Sequence, residues 1–332
     1  MQAYQTKPLF QSKSVSLSFT LGEFSLFRVP FQLWVWTPHF TAESSSRSPH
    51  PVEDLNPFLR PEMVTQSGII KGDGIAFPSY PTPAEDLPRL TTQGNYLRYI
   101  RSSYRRFIVD LGGSFEDYEK KFSSKTRTTL RKKVRKFAEL SGGTIDWRVY
   151  KTSREIDEFL TIAHALSART YQDKLLDAGL PDTPAFRSHA QELANADSVR
   201  AYLLFHDQKP VSYVFCPATE DGAVIYEYVG YDPEYRELSP GTVLQYLLLE
   251  NLFAEGKFRL FDFTEGEGAH KELFSTGFIR CADIYFFRRT ARNRLLVSSN
   301  VALSSLSRNI VGLLKKLGVH KRVKAMIRFS RA

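Results

Sequence analysis

The sequence predicts an α/β chain of the α+β kind, in which a mixed sheet is flanked by helices and preceded by a small N-terminal lobe. Three observations carry this. Strand-like and helix-like segments alternate through residues 113–290, and the best marked of them form a strand, a helix and a second strand within residues 221–277. Helical patterns at 153–167 and 184–195 come just before three consecutive strand-like runs at 199–206, 210–217 and 223–231. Residues 41–88 hold eight prolines, too many for long regular elements, so the N-terminal part is loop-rich.

The elements follow in order. Val15, Leu17, Phe19 and Leu21 alternate along one strand, and Phe31, Leu33 and Val35 along a second. Residues 37–61 and 77–88 turn to Ser, Pro, His and charge, the composition of irregular connections. A short strand at 107–111 ends at Gly112-Gly113. Ser114 then caps a helix, with Asp117 three residues on and Glu116 beside it in the first turn. That helix is expected to continue through Tyr118 and Phe122 into residues 120–136, where nine Lys or Arg occur without an acid. Such a run is a solvated helix face or an electrostatic surface for a phosphate-bearing partner. Leu130, Val134 and Phe137 keep one side apolar. A strand at 145–150 leads to the helices and strands already named, and strands at 257–264 and 282–288 complete the set.

The unit at 221–277 is the centre of the chain. Its helix has Ser239 as N-cap, Pro240 at the first helical position and Gly256 past the last turn. Val243, Leu244, Leu247, Leu248 and Leu252 recur at helical spacing, the mark of a stripe packed on a sheet. The N-terminus of such a crossover helix offers unpaired N–H groups and a positive dipole end to an anion. Neither GxGxxG nor GxxxxGK[ST] is present, which excludes the common dinucleotide and nucleoside-triphosphate loops.

Asp232-Pro233-Glu234-Tyr235-Arg236 followed by Ser239-Pro240-Gly241-Thr242 resembles the acyl-coenzyme A segment of the GNAT acyltransferase superfamily, and most closely its FemAB-related, CelD-like branch. Asp262-Phe263, Gly266 and His270-Lys271 extend the likeness, which covers about residues 113–290. It implies the GNAT fold: early helices, a mainly antiparallel sheet and the crossover helix. It also implies acetyl-CoA or another acyl-CoA as donor, held by Val229, Tyr231, Arg236, Leu238, Ser239, Gly241 and Thr242, with no metal. Tyr171-Gln172 resembles an acceptor-side pair, and Lys271 joins it as an acceptor contact. Two positions depart from the pattern: His270 stands where a Tyr is usual before the Lys, and Phe274 where many relatives carry a Tyr general acid. FemAB-related proteins often pair two lobes, so residues 1–112 read as a degenerate first GNAT-like half framing the acceptor, 113–290 as the acyltransferase domain and 291–332 as a basic tail.

Composition sets the outer limits. The 332 residues are 42% hydrophobic and 24% charged, ordinary for a globular chain. Cys216 and Cys281 have neither the number nor the spacing of a disulfide framework or a zinc site; they read as small core residues in a reducing compartment. The net charge of +9 is uneven: residues 288–332 hold twelve Lys or Arg and no acid, leaving 33 basic against 36 acidic residues elsewhere. No apolar run reaches the length of a spanning helix, and the N-terminus lacks the pattern of a signal peptide, so a cytoplasmic protein is expected.

Direct acyl transfer needs a proton acceptor for the attacking amine or hydroxyl and stabilisation of the carbonyl oxygen. Glu227, in an apolar row with Ile225 and Val229, is one candidate base, and burial there would raise its pKa. Asp262, near the end of the strand after the helix, is the second. His270 titrates in the right range and is the third. Three functions follow: an N- or O-acyltransferase using acyl-CoA on a small-molecule or lipid-linked sugar of an envelope-polysaccharide pathway; aminoacyl transfer from tRNA to a peptidoglycan precursor; or a non-catalytic membrane-surface scaffold. In the tail, Leu303, Leu306, Ile310, Leu313, Leu314 and Leu317, then Val323, Met326 and Ile327, recur at helical spacing among Lys and Arg, the pattern of a basic amphipathic helix on an anionic membrane.

Overall fold

The computed structural model of the chain describes residues 10–18, 21–26, 29–36, 39–45, 74–82, 87–169, 179–266 and 268–318. The strands β1 (Phe10–Ser18), β2 (Leu21–Leu26), β3 (Val29–Trp36), β4 (His39–Ser45), β5 (Gly74–Pro81), β6 (Leu90–Gln93) and β7 (Tyr96–Asp110) come first. Next are α1 (Phe115–Glu119), α2 (Ser124–Leu140), β8 (Trp147–Tyr150), α3 (Ser153–Ser167), α4 (Pro184–Asn195), β9 (Val199–His206) and β10 (Lys209–Pro217). They are followed by β11 (Ala223–Ile225), β12 (Tyr228–Tyr231), a 3-10 turn (Pro233–Leu238), α5 (Pro240–Glu255), β13 (Leu260–Asp262), α6 (Ala269–Phe274), β14 (Gly277–Arg288) and α7 (Ala291–Lys316). The result is a mixed α/β fold whose sheets are mainly antiparallel and flanked by helices, as the sequence predicts.

The chain forms two compact units, residues 1–104 with 280–332, and residues 105–279. The sequence divides it into three segments, at 112 and 290, whereas the tail helix here belongs with the N-terminal residues. The reason lies in α7: Val297 is buried beside Ala76, Leu97, Tyr99, Tyr285 and Phe287, and the Asn300 side-chain amide donates to the Tyr99 hydroxyl at 2.8 Å. In this first unit β4 pairs antiparallel with β1 and parallel with β5, β5 pairs antiparallel with β14, and β6 with β7. Strand β7 begins eleven residues before its predicted start at 107. Arg98, Arg101, Arg105 and Arg106 hide its apolar alternation from a sequence scan.

The second unit has an antiparallel sheet in the order β12-β10-β9-β8. Both faces of that sheet are covered. Ala201, Leu203, Phe205, Tyr213 and Phe215 meet α3 and α4, while Tyr202, Leu204, Val214 and Cys216 meet the cluster built on α1, α2 and α5. Burial on both faces explains why Ala201 to Phe205 of β9 read as a continuous apolar run instead of an alternating one. Thr152 and Glu155 form a capping box at the start of α3. The long helix expected from Ser114 breaks instead into α1 and α2, because Ser123 caps a fresh start by accepting from the Thr126 N–H at 3.2 Å.

Crossover helix α5 runs as predicted, but it is buried nearly all round and not along one stripe. Tyr246 and Phe253 pack against Phe115, and Phe253 also against Tyr118, while Leu244 and Leu248 belong to the same core. The strand expected at 223–231 is two strands. Strand β11 pairs parallel with β13, and β12 pairs antiparallel with β10, so the chain changes partner at Tyr226-Glu227. Strand β13 is likewise short, holding only the middle of the strand predicted at 257–264.

Candidate functional site

The segment before α5 is shaped by its own side chains. Asp232, almost fully buried, accepts from the Glu234 N–H at 3.1 Å and starts the 3-10 turn, and Arg169 approaches its other oxygen at 3.4 Å. Ser239 sits at the junction with φ 54° and ψ 46°, the left-handed region that a non-glycine residue seldom adopts. Its side chain makes no capping bond, so the hydroxyl does not cover the helix start as the sequence predicts. Pro240 has no N–H, and a Cβ added at Gly241 would meet only the Tyr231 ring, at 3.6 Å. Arg236 and Thr242 lie on either side, the Arg236 guanidinium donating to exposed Glu237 at 3.2 Å. One turn into the helix, Gln245 is 2% exposed, and neither its side-chain oxygen nor its nitrogen has a hydrogen-bond partner among the described residues. A helix start with a bent entry, a missing Cβ and an orphaned buried amide one turn below is chemically suited to a phosphate-bearing amide such as coenzyme A. Val229 and Tyr231 lie on β12, which leads into this turn, and Leu238 ends it.

At the other end of β12 the chain parts from β13. The Tyr226 N–H donates to the Asp262 carbonyl at 2.9 Å, the last bond before the strands separate. The Tyr226 ring packs against Phe261, Phe263 and His270, at 5.6, 5.4 and 6.4 Å between centroids. Glu227 comes next, half-buried and off the strand, so the alternation that gave it a row with Ile225 and Val229 does not hold. It lies close enough to Cys216 that its charge, after burial itself, pushes that thiol well up. Both cysteines are buried and outside any disulfide, and Cys216 is a core residue and not a nucleophile, as expected.

Asp262 is differently placed. It is wholly buried, and its carboxylate receives the Arg106 Nε–H at 2.9 and 2.8 Å, a very short contact from Arg106 Nη2, and the Thr264 N–H at 2.8 Å. A carboxylate engaged by a buried guanidinium holds the end of β13 in place and has little left with which to accept a proton from a substrate. His270 is exposed as a residue, yet its ring rests on Tyr226 and Phe263; burial first and neighbouring Lys271 second hold its pKa below the usual value. Lys271 Nζ donates to the Phe263 and Glu265 carbonyls at 2.7 and 2.6 Å, tying the loop after β13 to α6. Phe274 is buried against Phe122 and carries no hydroxyl, so no phenol acid comes from that position.

The fold therefore gathers Glu227, Asp262 and His270 around Tyr226, while the predicted donor-binding residues collect along β12 and the start of α5. Tyr171 and Gln172 lie outside the described residues. Sequence patterns miss Arg106 and Gln245. Gln245 is a polar residue in an apolar helical run, a signal that could have found it, whereas Arg106 follows another arginine in a half-exposed stretch and carries no local mark. They also miss Glu119, which is buried between Arg131 and Tyr246, whose hydroxyl donates to it at 2.7 Å. Among the described residues no group of His, Cys, Asp and Glu is arranged to hold a metal ion, and no helix is long and apolar enough to cross a membrane.

Residues 124–272 match the family model of the acetyltransferase (GNAT) domain. No curated protein matches the chain. Among solved structures, FemX resembles it at 10% identity and a TM-score of 0.48, covering 79% of this chain and 87% of that one. The C-terminal domain of a protein assigned as a lysylphosphatidylglycerol synthetase from Agrobacterium fabrum does so at 12% identity and 0.47, covering 80% and 84%. A GCN5-related N-acetyltransferase from Kribbella flavida follows at 15% and 0.32, covering 57% and 59%.

Proposed function

From the GNAT domain match over residues 124–272, with the acyl-CoA donor that it implies, we propose that the chain moves an acyl group from acetyl-CoA or a similar thioester to an amine or hydroxyl. The acceptor we propose is a sugar of an envelope-polysaccharide precursor, free or lipid-linked, on the resemblance of residues 113–290 to the CelD-like branch. One observation carries the mechanism: a bent, glycine-bearing helix start at one end of β12 and a strand break at Tyr226-Glu227 at the other. The donor supplies an activated carbonyl. Backbone N–H groups at the start of α5 hold its pyrophosphate, and Arg236 adds charge at the rim. Glu227 takes the proton from the attacking acceptor atom, the thioester C–S bond breaks as the new bond to the acyl carbon holds, and that proton returns to the departing thiolate so that coenzyme A leaves as the thiol; the Arg106–Asp262 pair fixes the end of β13 and Lys271 the loop that follows. His270, neutral and packed on Tyr226, is the second candidate to accept that proton. Titration calorimetry with coenzyme A, followed by thiol release from acetyl-CoA by wild type and Glu227→Gln, tests this. No binding, or equal release by both proteins, overturns it.

A second donor is favoured by one feature. Lys125, Lys132 and Lys136 form an exposed stripe on α2 without an acidic partner among the described residues, a surface that suits the phosphates of an aminoacyl-tRNA. Competition decides between them: coenzyme A should protect the site under the first proposal and charged tRNA under the second.

A further inference from the structure

Helix α7 has two faces that do different things. On one side Asn293, Val297, Asn300 and Ser307 are buried within the first unit. These positions recur at three, four and seven residues, so they lie along one line of the helix. On the opposite side are Leu295, Leu306, Leu313 and Leu317, with exposures of 71%, 51%, 57% and 63%. Their separations of 11, 7 and 4 residues are each close to whole turns, which sets them along a second line about 33 Å long. Leu317 keeps the register, since its N–H donates to the Leu313 carbonyl at 2.9 Å. Single exposed leucines are ordinary; four in one line on a helix that is already docked by its other face, with exposed Ala302 between the first two, form an apolar stripe. The burial pattern leaves the second face available while the first is engaged.

What covers the leucines is indicated by charge. Residues 288–332 contain twelve Lys or Arg and no acid, and Arg289, Arg294 and Lys316 are exposed at or near the ends of the helix. A second copy brought against the same face would oppose like charge with like. An apolar line with cations at both ends, serine and asparagine between them and no acid on the helix fits the interface of a bilayer with anionic headgroups, where leucine enters the acyl boundary and the cations meet phosphate.

We infer that the leucine face of α7 docks the protein on an anionic lipid surface. The inference does not depend on the acyl-transfer proposal. It is tested on the full chain by sedimentation with vesicles of phosphatidylglycerol and phosphatidylcholine, against pure phosphatidylcholine, at about 0.1 M and 1 M salt. The wild type should pellet with the anionic vesicles and less so at high salt. Leu306→Ser combined with Leu313→Ser changes only exposed positions and should lower the partition coefficient at least about tenfold. Arg294→Glu with Lys316→Glu should abolish the preference for anionic over neutral vesicles. Binding that the leucine variant leaves unchanged, or a wild type that ignores both vesicles, overturns the inference. So does a concentration-dependent dimer in solution that the leucine variant abolishes, which would assign the face to a second copy. Should the double serine variant unfold, the charge reversal and Leu313→Ser alone carry the same decision.

Discussion

Replacing Arg106 by Met isolates the contribution of the most deeply buried ion pair beside the site. Asp262 is fully buried, and without the guanidinium its carboxylate keeps only the Thr264 N–H among its present donors. Removing one partner of a buried pair costs about 3–5 kcal/mol, because the other charge is left without compensation. For a unit of this size, at about 2–4 °C per kcal/mol, Tm should fall by roughly 6–20 °C. Arg106→Met with Asp262→Leu removes both charges and should recover most of the loss, since apolar replacements of whole pairs are often neutral. Urea denaturation followed by tryptophan fluorescence in a Trp34→Phe, Trp36→Phe background, which leaves Trp147 as the reporter, with a matching thermal scan, gives all three values. A loss below about 1 kcal/mol in the single variant, or a double variant no better than the single, refutes the reasoning. The same series separates position from chemistry. Asp262→Asn, assayed on the folded fraction, should keep kcat within about tenfold, whereas Glu227→Gln should lower it by about a hundredfold or more. The reverse order would make Asp262 the proton acceptor.

Gly241→Val should fold, because a side chain there meets only the Tyr231 ring, and it should weaken coenzyme A binding about tenfold by calorimetry; unchanged affinity removes the helix start from the donor site. Gln245→Met relieves a buried amide without partners and should raise stability by about 1–3 kcal/mol while weakening donor binding. A variant that gains no stability shows that the amide is satisfied. The imidazole of His270 stays neutral in the fold to lower pH than in the unfolded chain. The stability tied to that neutral ring is complete above its ordinary pKa of about 6.5 and is lost as pH falls through the lower folded value. His270→Gln should therefore flatten the fall in stability between about pH 7 and 5, and an unchanged slope would assign the acid sensitivity elsewhere.

Local signals were sufficient wherever an element is fixed by its own residues. Helices α3, α4 and α5 begin and end where caps, prolines and Gly256 place them, and β9 stands at its predicted bounds. Signals failed where partners far along the chain decide. The break at Tyr226-Glu227 has no turn residue to mark it; it arises because β11 finds β13 while β12 finds β10. The identity of Asp262's partner, 156 residues away, is equally invisible to periodicity. Glu227, Asp262 and His270 were legible as titratable groups near strand ends. Their different circumstances were not, because burial and hydrogen bonding belong to the assembled sheet.

Cys216 and Cys281 have one more consequence. One lies in each compact unit, and both are sealed from solvent without a disulfide. A thiol reagent can reach either sulfur only after its own surroundings open, so the two labelling rates are separate clocks for the two halves of the chain. Mass spectrometry of the two labelled peptides, after brief pulses in increasing urea, would read the opening free energy of each half in the same tube with no residue changed.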